Sequence, residues 1–239
     1  MSVDTGERPK ARPSGAPFRL SGRGSVILMA LLGIVAVYAT DQIVPASTAR
    51  EAQLRLWLAN RAAGNVALVL LTIQLSLGLI LSHPTNKSTW KLSKRIFPWH
   101  EHLWVFVMAF LLVHIAATVL DPYAKVSVLG ALIPGLSTYR SSAVALGTMA
   151  LYALLITAIS ARWTKLLPPG VWLTIHRVSL VVFVLAWLHV ELAGSDSGSL
   201  GWLYAATGIA VLLSGSYRYW ASRQRRPTFT TSRTEVTGS

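Results

Sequence analysis

The sequence of 239 residues contains no cysteine. This absence excludes disulfide bonds, iron–sulfur clusters, thiolate metal sites and covalent haem attachment through a C-x-x-C-H motif. Charged residues are also scarce, at 13% of the chain, whereas 53% is hydrophobic and the mean hydropathy is +0.50. A soluble domain of this length is normally much more polar, so the composition indicates a membrane protein.

Acidic residues are few as well, with nine Asp and Glu against 22 Lys and Arg and a formal charge of +13. Such a charge often indicates nucleic-acid binding. Here the basic residues lie between apolar blocks and at the two ends of the chain. The sequence therefore favours membrane topology over a nucleic-acid partner.

Six apolar segments approach the roughly 20 residues that a helix needs to cross a bilayer. No period-2 alternation supports a barrel, so the segments predict an all-α integral membrane bundle of six transmembrane helices. The six segments are 25–44, 62–82, 99–120, 142–161, 171–192 and 200–219.

The distribution of basic residues predicts the orientation. Seventeen of the 22 Lys and Arg fall at the two ends, in the second and fourth loops and at the start of the fifth segment, and five fall in the alternate loops. The positive-inside rule then places both termini in the cytoplasm of a multi-pass cell-membrane protein. We expect a disordered basic tail over 1–24, the membrane domain over 25–221 and a second basic tail over 222–239.

The segment before the second span is ambiguous. Thr48 and Glu51 have capping-box spacing, and "AQLRLWLANR" follows them. This stretch predicts either a short amphipathic helix on the membrane surface or an extension of the second span.

Histidines are the unusual feature of the apolar segments. Five of the six lie on the third and fifth predicted helices, and four of these are the main candidates for a site: His100, His114, His176 and His189. Ionisable side chains are costly within a membrane and usually have a function there. The spacings of 14 and 13 residues correspond to about 21 Å and 19.5 Å along a helix.

Because the two helices are parallel, their histidines form two levels roughly 20 Å apart. A planar macrocycle with iron at its centre needs one axial ligand on each face, and each level offers two imidazoles. In helix rotation His114 lies within about 40° of His100, whereas His189 lies about 140° from His176. The geometry alone therefore does not demand the pair on the fifth helix.

The spacings of 14 and 13 residues, with Trp172 and "IHR" at 175–177, resemble the ferric reductase-like transmembrane domain family. This family includes ferric reductases, NADPH oxidases and the haem subunit of a bacterial methionine sulfoxide reductase. The resemblance covers roughly 25–219 and implies two non-covalent b-type haems. It pairs His100 with His176 on the inner side, and His114 with His189 on the outer side.

The resemblance implies electron transfer through the two haems to an acceptor on the outer side. Family members with a flavin and NAD(P)H domain carry it after the last helix, where this sequence has about twenty residues. We therefore expect no flavin or NAD(P)H site in this sequence, and a separate cytoplasmic flavoprotein or a quinol as donor. On this interpretation it is a haem-dependent oxidoreductase that needs a partner.

Several further side chains have two interpretations each. His102 is a weaker candidate for the inner ligand, and His83 is expected to make a polar contact at a helix end. Arg61 is either an interfacial anchor or a partner of an outer haem propionate. Arg177 is either a positive-inside residue or the partner of an inner propionate. Gly64, Gly78, Gly147 and Gly208 allow close approach of either haem or neighbouring helices.

Two other functions are consistent with the sequence. A membrane cytochrome b that exchanges electrons only with quinol would need a quinone pocket, which no motif marks. A transporter or assembly protein could line a cavity with these histidines. Such proteins often have interrupted helices, whereas the predicted helices are continuous.

Overall fold

The structure is a computed structural model. It describes residues 48–81, 87–168, 170–194 and 197–223, together with eight single positions between 24 and 38. The helices of the four continuous ranges are α1 (Ala49–Ile80), α2 (Lys87–Leu120), α3 (Val128–Leu132), α4 (Ser141–Arg162), α5 (Val171–His176), α6 (Ser179–Ala193) and α7 (Ser197–Arg223). A 3₁₀ turn, Thr164–Leu166, follows α4. In these ranges there is no strand, as predicted.

Five helical stretches are long and apolar enough to cross a membrane: Ala49–Ile80, Lys91–Leu120, Ser141–Arg162, Val171–Ala193 and Gly198–Arg223. The chain is therefore an all-helical, multi-pass membrane protein. The first of the six predicted spans, 25–44, lies largely outside the described residues. Eight single residues between 24 and 38 are described, and all eight are helical. The two predicted tails, 1–24 and 222–239, also lie almost entirely outside.

Polar and apolar side chains are distributed as a bilayer requires. Large apolar side chains face outward, such as Leu212 at 71% exposure and Ile156 at 58%. Buried hydroxyls donate to carbonyls within their own helix, as Thr72 does to Leu68 at 2.7 Å and Ser214 to Ala210 at 2.8 Å. These bonds satisfy polar atoms where no water is available.

Helix α1 is the central helix of the described bundle. It packs against α2, α6 and α7, while α4 packs against α5 and α6. Its Leu68 and Leu75 form a buried cluster with Phe183 of α6 and with Tyr204 and Val211 of α7. The pair α2 and α6 is not among the closely packed pairs of described helices.

The segment between α2 and α4 folds onto one end of the bundle. Ser127 caps α3 by accepting from the backbone N–H of Gly130 at 3.0 Å. Thr148 of α4 donates to the carbonyl of Ala131 at 2.8 Å, and Arg140 donates to the carbonyl of Leu192 at 2.8 Å. The predicted loop thus contains a short helix and is fixed to α4 and α6.

The structure resolves the ambiguity before the second span. The hydroxyl of Thr48 accepts from the N–H of Glu51 at 3.2 Å, which confirms the predicted helix start. Helix α1 then runs without interruption to Ile80, so the amphipathic stretch extends the span. Helix α2 likewise begins at Lys87, earlier than predicted, and contains Pro98. The predicted basic loop is therefore partly helical.

The prediction of a continuous fifth helix was wrong. Helix α5 ends at His176, and α6 begins only at Ser179. Between them the backbone tightens, because the N–H of Val178 donates to Ile175 at 2.9 Å and that of Leu180 to Arg177 at 3.3 Å. These are bonds to the third residue back, as in a 3₁₀ helix. Neither Pro nor Gly lies within 171–193, so the local sequence does not signal the break.

Candidate functional site

The four histidines on α2, α5 and α6 meet as two pairs across the bundle. The ring centroids of His100 and His176 are 6.0 Å apart with an interplanar angle of 87°. Those of His114 and His189 are 6.1 Å apart at 78°. These are the two pairs expected from the sequence, and the rings of each pair stand almost perpendicular to each other.

Three of the four imidazoles contact a backbone carbonyl on a neighbouring helix. Nδ1 of His100 lies 2.9 Å from the oxygen of Gln74, that of His114 lies 2.9 Å from Asn60, and that of His189 lies 2.7 Å from Ala143. A carbonyl oxygen only accepts, so each Nδ1 carries the proton and donates. Nε2 of a neutral ring is then left as an acceptor, the state in which it binds a metal.

A glycine lies four residues after each of these carbonyls. A β-carbon on Gly64 would lie 2.9 Å from Nδ1 of His114, and one on Gly78 would lie 2.9 Å from Cε1 of His100. The corresponding distance from Gly147 to Nδ1 of His189 is 2.7 Å. A helical Cα–Cβ bond tilts toward the N-terminus, over the preceding turn. The histidine ring that bonds the carbonyl therefore occupies the space of the missing β-carbon.

The arrangement on α1 and α2 repeats along the helix axes. Gly64 and Gly78 are 14 residues apart, as are His100 and His114 on the antiparallel partner. Fourteen residues complete nearly four turns, so both rings emerge on one face, about 21 Å apart. The side chains of the residues that supply the carbonyls give no sign of this role. The equal spacing of the glycines and the histidines was the only signal in the sequence.

His176 differs from the other three histidines. Its Nδ1 is buried and has no hydrogen-bond partner among the described residues. Its ring lies 6.0 Å from that of Trp172, tilted by 50°. None of the described glycines has its absent β-carbon position against this ring.

The helix break accounts for part of the 140° misfit between His176 and His189. A 3₁₀ turn rotates the chain by about 120° per residue, instead of the 100° of an α-helix. Extra rotation after His176 moves His189 toward the face on which His176 lies. An ideal straight helix was therefore the wrong geometry for this segment.

A cavity adjoins the pair of His114 and His189. It contains about 1500 Å³ of atom-free space, including space open to the surroundings. Apolar side chains of α2, α4 and α6 line much of it, and Asn60, Arg61 and Tyr123 contribute polar groups.

The remaining predicted site residues have different positions. Arg61 lines the cavity, and its guanidinium lies 4.5 Å from the centre of the Trp57 ring. Arg177 is exposed in the break directly after His176. Nδ1 of His102 lies 2.6 Å from the carbonyl of Pro98 on its own helix, while His100 forms the pair. His83 lies outside the described residues.

The separation within each pair fits one metal ion between two imidazoles. With a metal–nitrogen bond of about 2.0–2.1 Å and about 1.2 Å from nitrogen to ring centre, opposed rings have centroids about 6.4–6.6 Å apart, slightly more than the separations observed here. Edge-to-face aromatic packing also covers this distance, so the spacing alone does not decide.

Two nitrogens are too few to complete a metal site from protein alone. No group of three or more His, Asp or Glu that could hold a metal ion occurs within the described ranges. A metal between two imidazoles would therefore need further ligands from a cofactor, and a planar macrocycle supplies four. The cavity borders the outer pair, His114 and His189, whereas the space at Gly64, Gly78 and Gly147 is filled by the histidine rings themselves.

Comparisons of this chain with protein-family models, curated proteins and solved structures return no match.

Proposed function

We propose that this protein transfers electrons across a membrane through two non-covalent b-type haems. His100 and His176 hold the inner haem, and His114 and His189 hold the outer one. The observation that carries the proposal is the recurrence of one arrangement at two depths. At each depth two imidazoles from different helices lie about as close together as two ligands of one metal ion would.

The hydrogen bonds from Nδ1 support the same function. A carbonyl that accepts from Nδ1 fixes the tautomer and orientation of a ligand histidine and raises its basicity. Three of the four imidazoles have this support. A histidine that only packed in a helix interface would need no free Nε2 directed away from its carbonyl partner.

The resemblance to the ferric reductase-like transmembrane domain also supports this function. Its two spacings, 14 residues on one helix and 13 on another, correspond to the two pairs in this structure. The family thereby suggests a cytoplasmic donor, either a flavoprotein or a quinol, and an acceptor on the outer side.

Bound haem iron would supply one-electron redox chemistry. The chain's own contribution is to fix two ligands per iron, to exclude water with apolar side chains and to keep the two sites at set depths. The imidazoles that hold each haem and the burial of the two sites would set the reduction potentials. Arg61 lines the outer cavity and is placed to neutralise a carboxylate there.

The deciding experiment is a dithionite-reduced minus oxidised absorbance spectrum of the purified protein, with haem counted per chain as the pyridine haemochrome. We expect two b haems per chain, and one in His114→Ala. His102→Ala is the matched control, because His102 bonds its own helix, and it should keep both. A protein without haem, expressed with ample haem supply, would overturn the proposal.

One observation favours a second candidate, a transporter with histidines around a cavity. The break between α5 and α6 resembles the discontinuous helices of transporters, whose interrupted backbone lines a binding site. A transporter would purify without haem and move a solute in sealed vesicles. The haem count therefore distinguishes the two functions.

A further inference from the structure

The inner and outer histidine pairs differ in how firmly their members are held. In the outer pair both rings bond a carbonyl, and both lie against a glycine. In the inner pair only His100 has these two supports. Among the described residues, Nδ1 of His176 has no hydrogen-bond partner, and no glycine leaves space for its ring.

The backbone that carries His176 is also the least continuous part of the site. His176 is the last residue of α5, which has six residues. Gly170 precedes α5 with φ of 84°, a conformation that side-chain-bearing residues rarely adopt. Residues 177–178, which separate α5 from α6, follow His176 directly. In contrast, His100, His114 and His189 lie within helices of 15 to 34 residues.

Short segments bounded by turns on both sides can shift without disturbing the rest of a fold, whereas a residue within a long packed helix cannot. A ligand whose second nitrogen is unbonded has neither a fixed tautomer nor a fixed ring orientation. Both properties weaken the hold of His176 on a metal. The short helix and the unbonded Nδ1 both belong to His176, so both weaken the inner site alone.

From these observations we propose that His176 is an exchangeable ligand and that the inner iron accepts a small neutral molecule in its place. This inference rests on the proposed function. In the exchange the bond from iron to Nε2 of His176 breaks, and one bond from iron to the entering molecule forms. The imidazole leaves as a neutral ring, and no electron is transferred.

The outer iron should not exchange in this way. To leave the iron, His114 or His189 would have to break the hydrogen bond from Nδ1 to a backbone carbonyl. Its ring would also have to move out of the space beside Gly64 or Gly147. Trp172, 6.0 Å from His176, is the neighbouring side chain that the departing ring would contact. Exchange should therefore be confined to one of the two haems.

The test uses carbon monoxide as the probe on the dithionite-reduced, full-length protein in detergent. Total haem is counted first, and the CO-bound share is then read from the CO difference spectrum. We expect about one CO for every two haems in the wild type. His176→Ala should not raise the ratio of CO to haem, because it removes the inner haem and leaves the outer one, which keeps both of its histidines.

His189→Ala is the matched control, since it removes the outer haem and leaves only the inner one, which should raise the ratio to about one CO per haem. Wild-type protein that holds two haems but binds no CO would overturn the exchange and leave the proposed function intact. A wild-type ratio near one, or a rise in His176→Ala, would also overturn it, because the site would not be specific to His176. Absence of haem would overturn both proposals.

Discussion

A β-carbon on Gly64 would lie 2.9 Å from Nδ1 of His114. The same relationship joins Gly78 to His100 and Gly147 to His189, each across a helix interface. In all three cases the ring bonds the carbonyl four residues before the glycine. The absent side chain and the hydrogen bond are thus two parts of one local structure that sets the direction of Nε2.

Gly147→Ala should disturb haem binding without loss of the fold. Alanine is favoured over glycine in a helix by about 1 kcal/mol, so the backbone alone would gain stability. The new methyl group, however, would lie within 2.7–2.9 Å of three atoms of the His189 ring, which must move. We expect about one haem per chain instead of two, measured as the pyridine haemochrome.

Gly208→Ala is the control for that substitution. Gly208 also lies within a long helix, but its nearest atom is Nε1 of Trp187 at 3.8 Å, an ordinary contact. This variant should retain both haems. If Gly208→Ala and Gly147→Ala lose haem equally, the close approach at His189 is not the cause.

The sequence predicted most of the helices, because about 20 consecutive apolar residues leave few alternatives. It also predicted which histidines pair, since their positions along two parallel helices define common levels. It did not predict the break after His176, where no Pro or Gly interrupts the pattern and tertiary packing decides. The carbonyl partners were hidden as well, because every residue carries a carbonyl and only the spacing of Gly64 and Gly78 marks them.

Double substitutions should show which histidines share a metal. His114→Ala and His189→Ala remove ligands of one site, so the double variant should retain about one haem per chain, like either single variant. His114→Ala combined with His176→Ala removes a ligand from each site and should lower the haem content further. Haemochrome counts on the single and double variants test this. Equal losses in the two double variants would contradict the assignment of pairs.

Trp187→Phe should destabilise the bundle and spare the haem sites. Nε1 of Trp187 donates to the carbonyl of Tyr204 at 2.9 Å and so joins α6 to α7. Hydrogen bonds between membrane helices contribute about 0.6 kcal/mol on average and up to about 1.7 kcal/mol. We expect a small decrease in the free energy of unfolding in detergent. The haem count should stay at the wild-type value, and a loss of haem would show that Trp187 supports a site.

The absence of cysteine permits a direct test of the predicted orientation, because any introduced thiol is the only one in the chain. Lys125 lies in the segment between α2 and α4, and Arg162 ends α4 at the opposite end of the bundle. With cytoplasmic termini, Lys125→Cys should react with a membrane-impermeant maleimide in intact cells. Arg162→Cys should react only after the membrane is inverted or permeabilised. The reverse pattern would place the His114 and His189 pair on the cytoplasmic side and reverse the proposed direction of electron transfer.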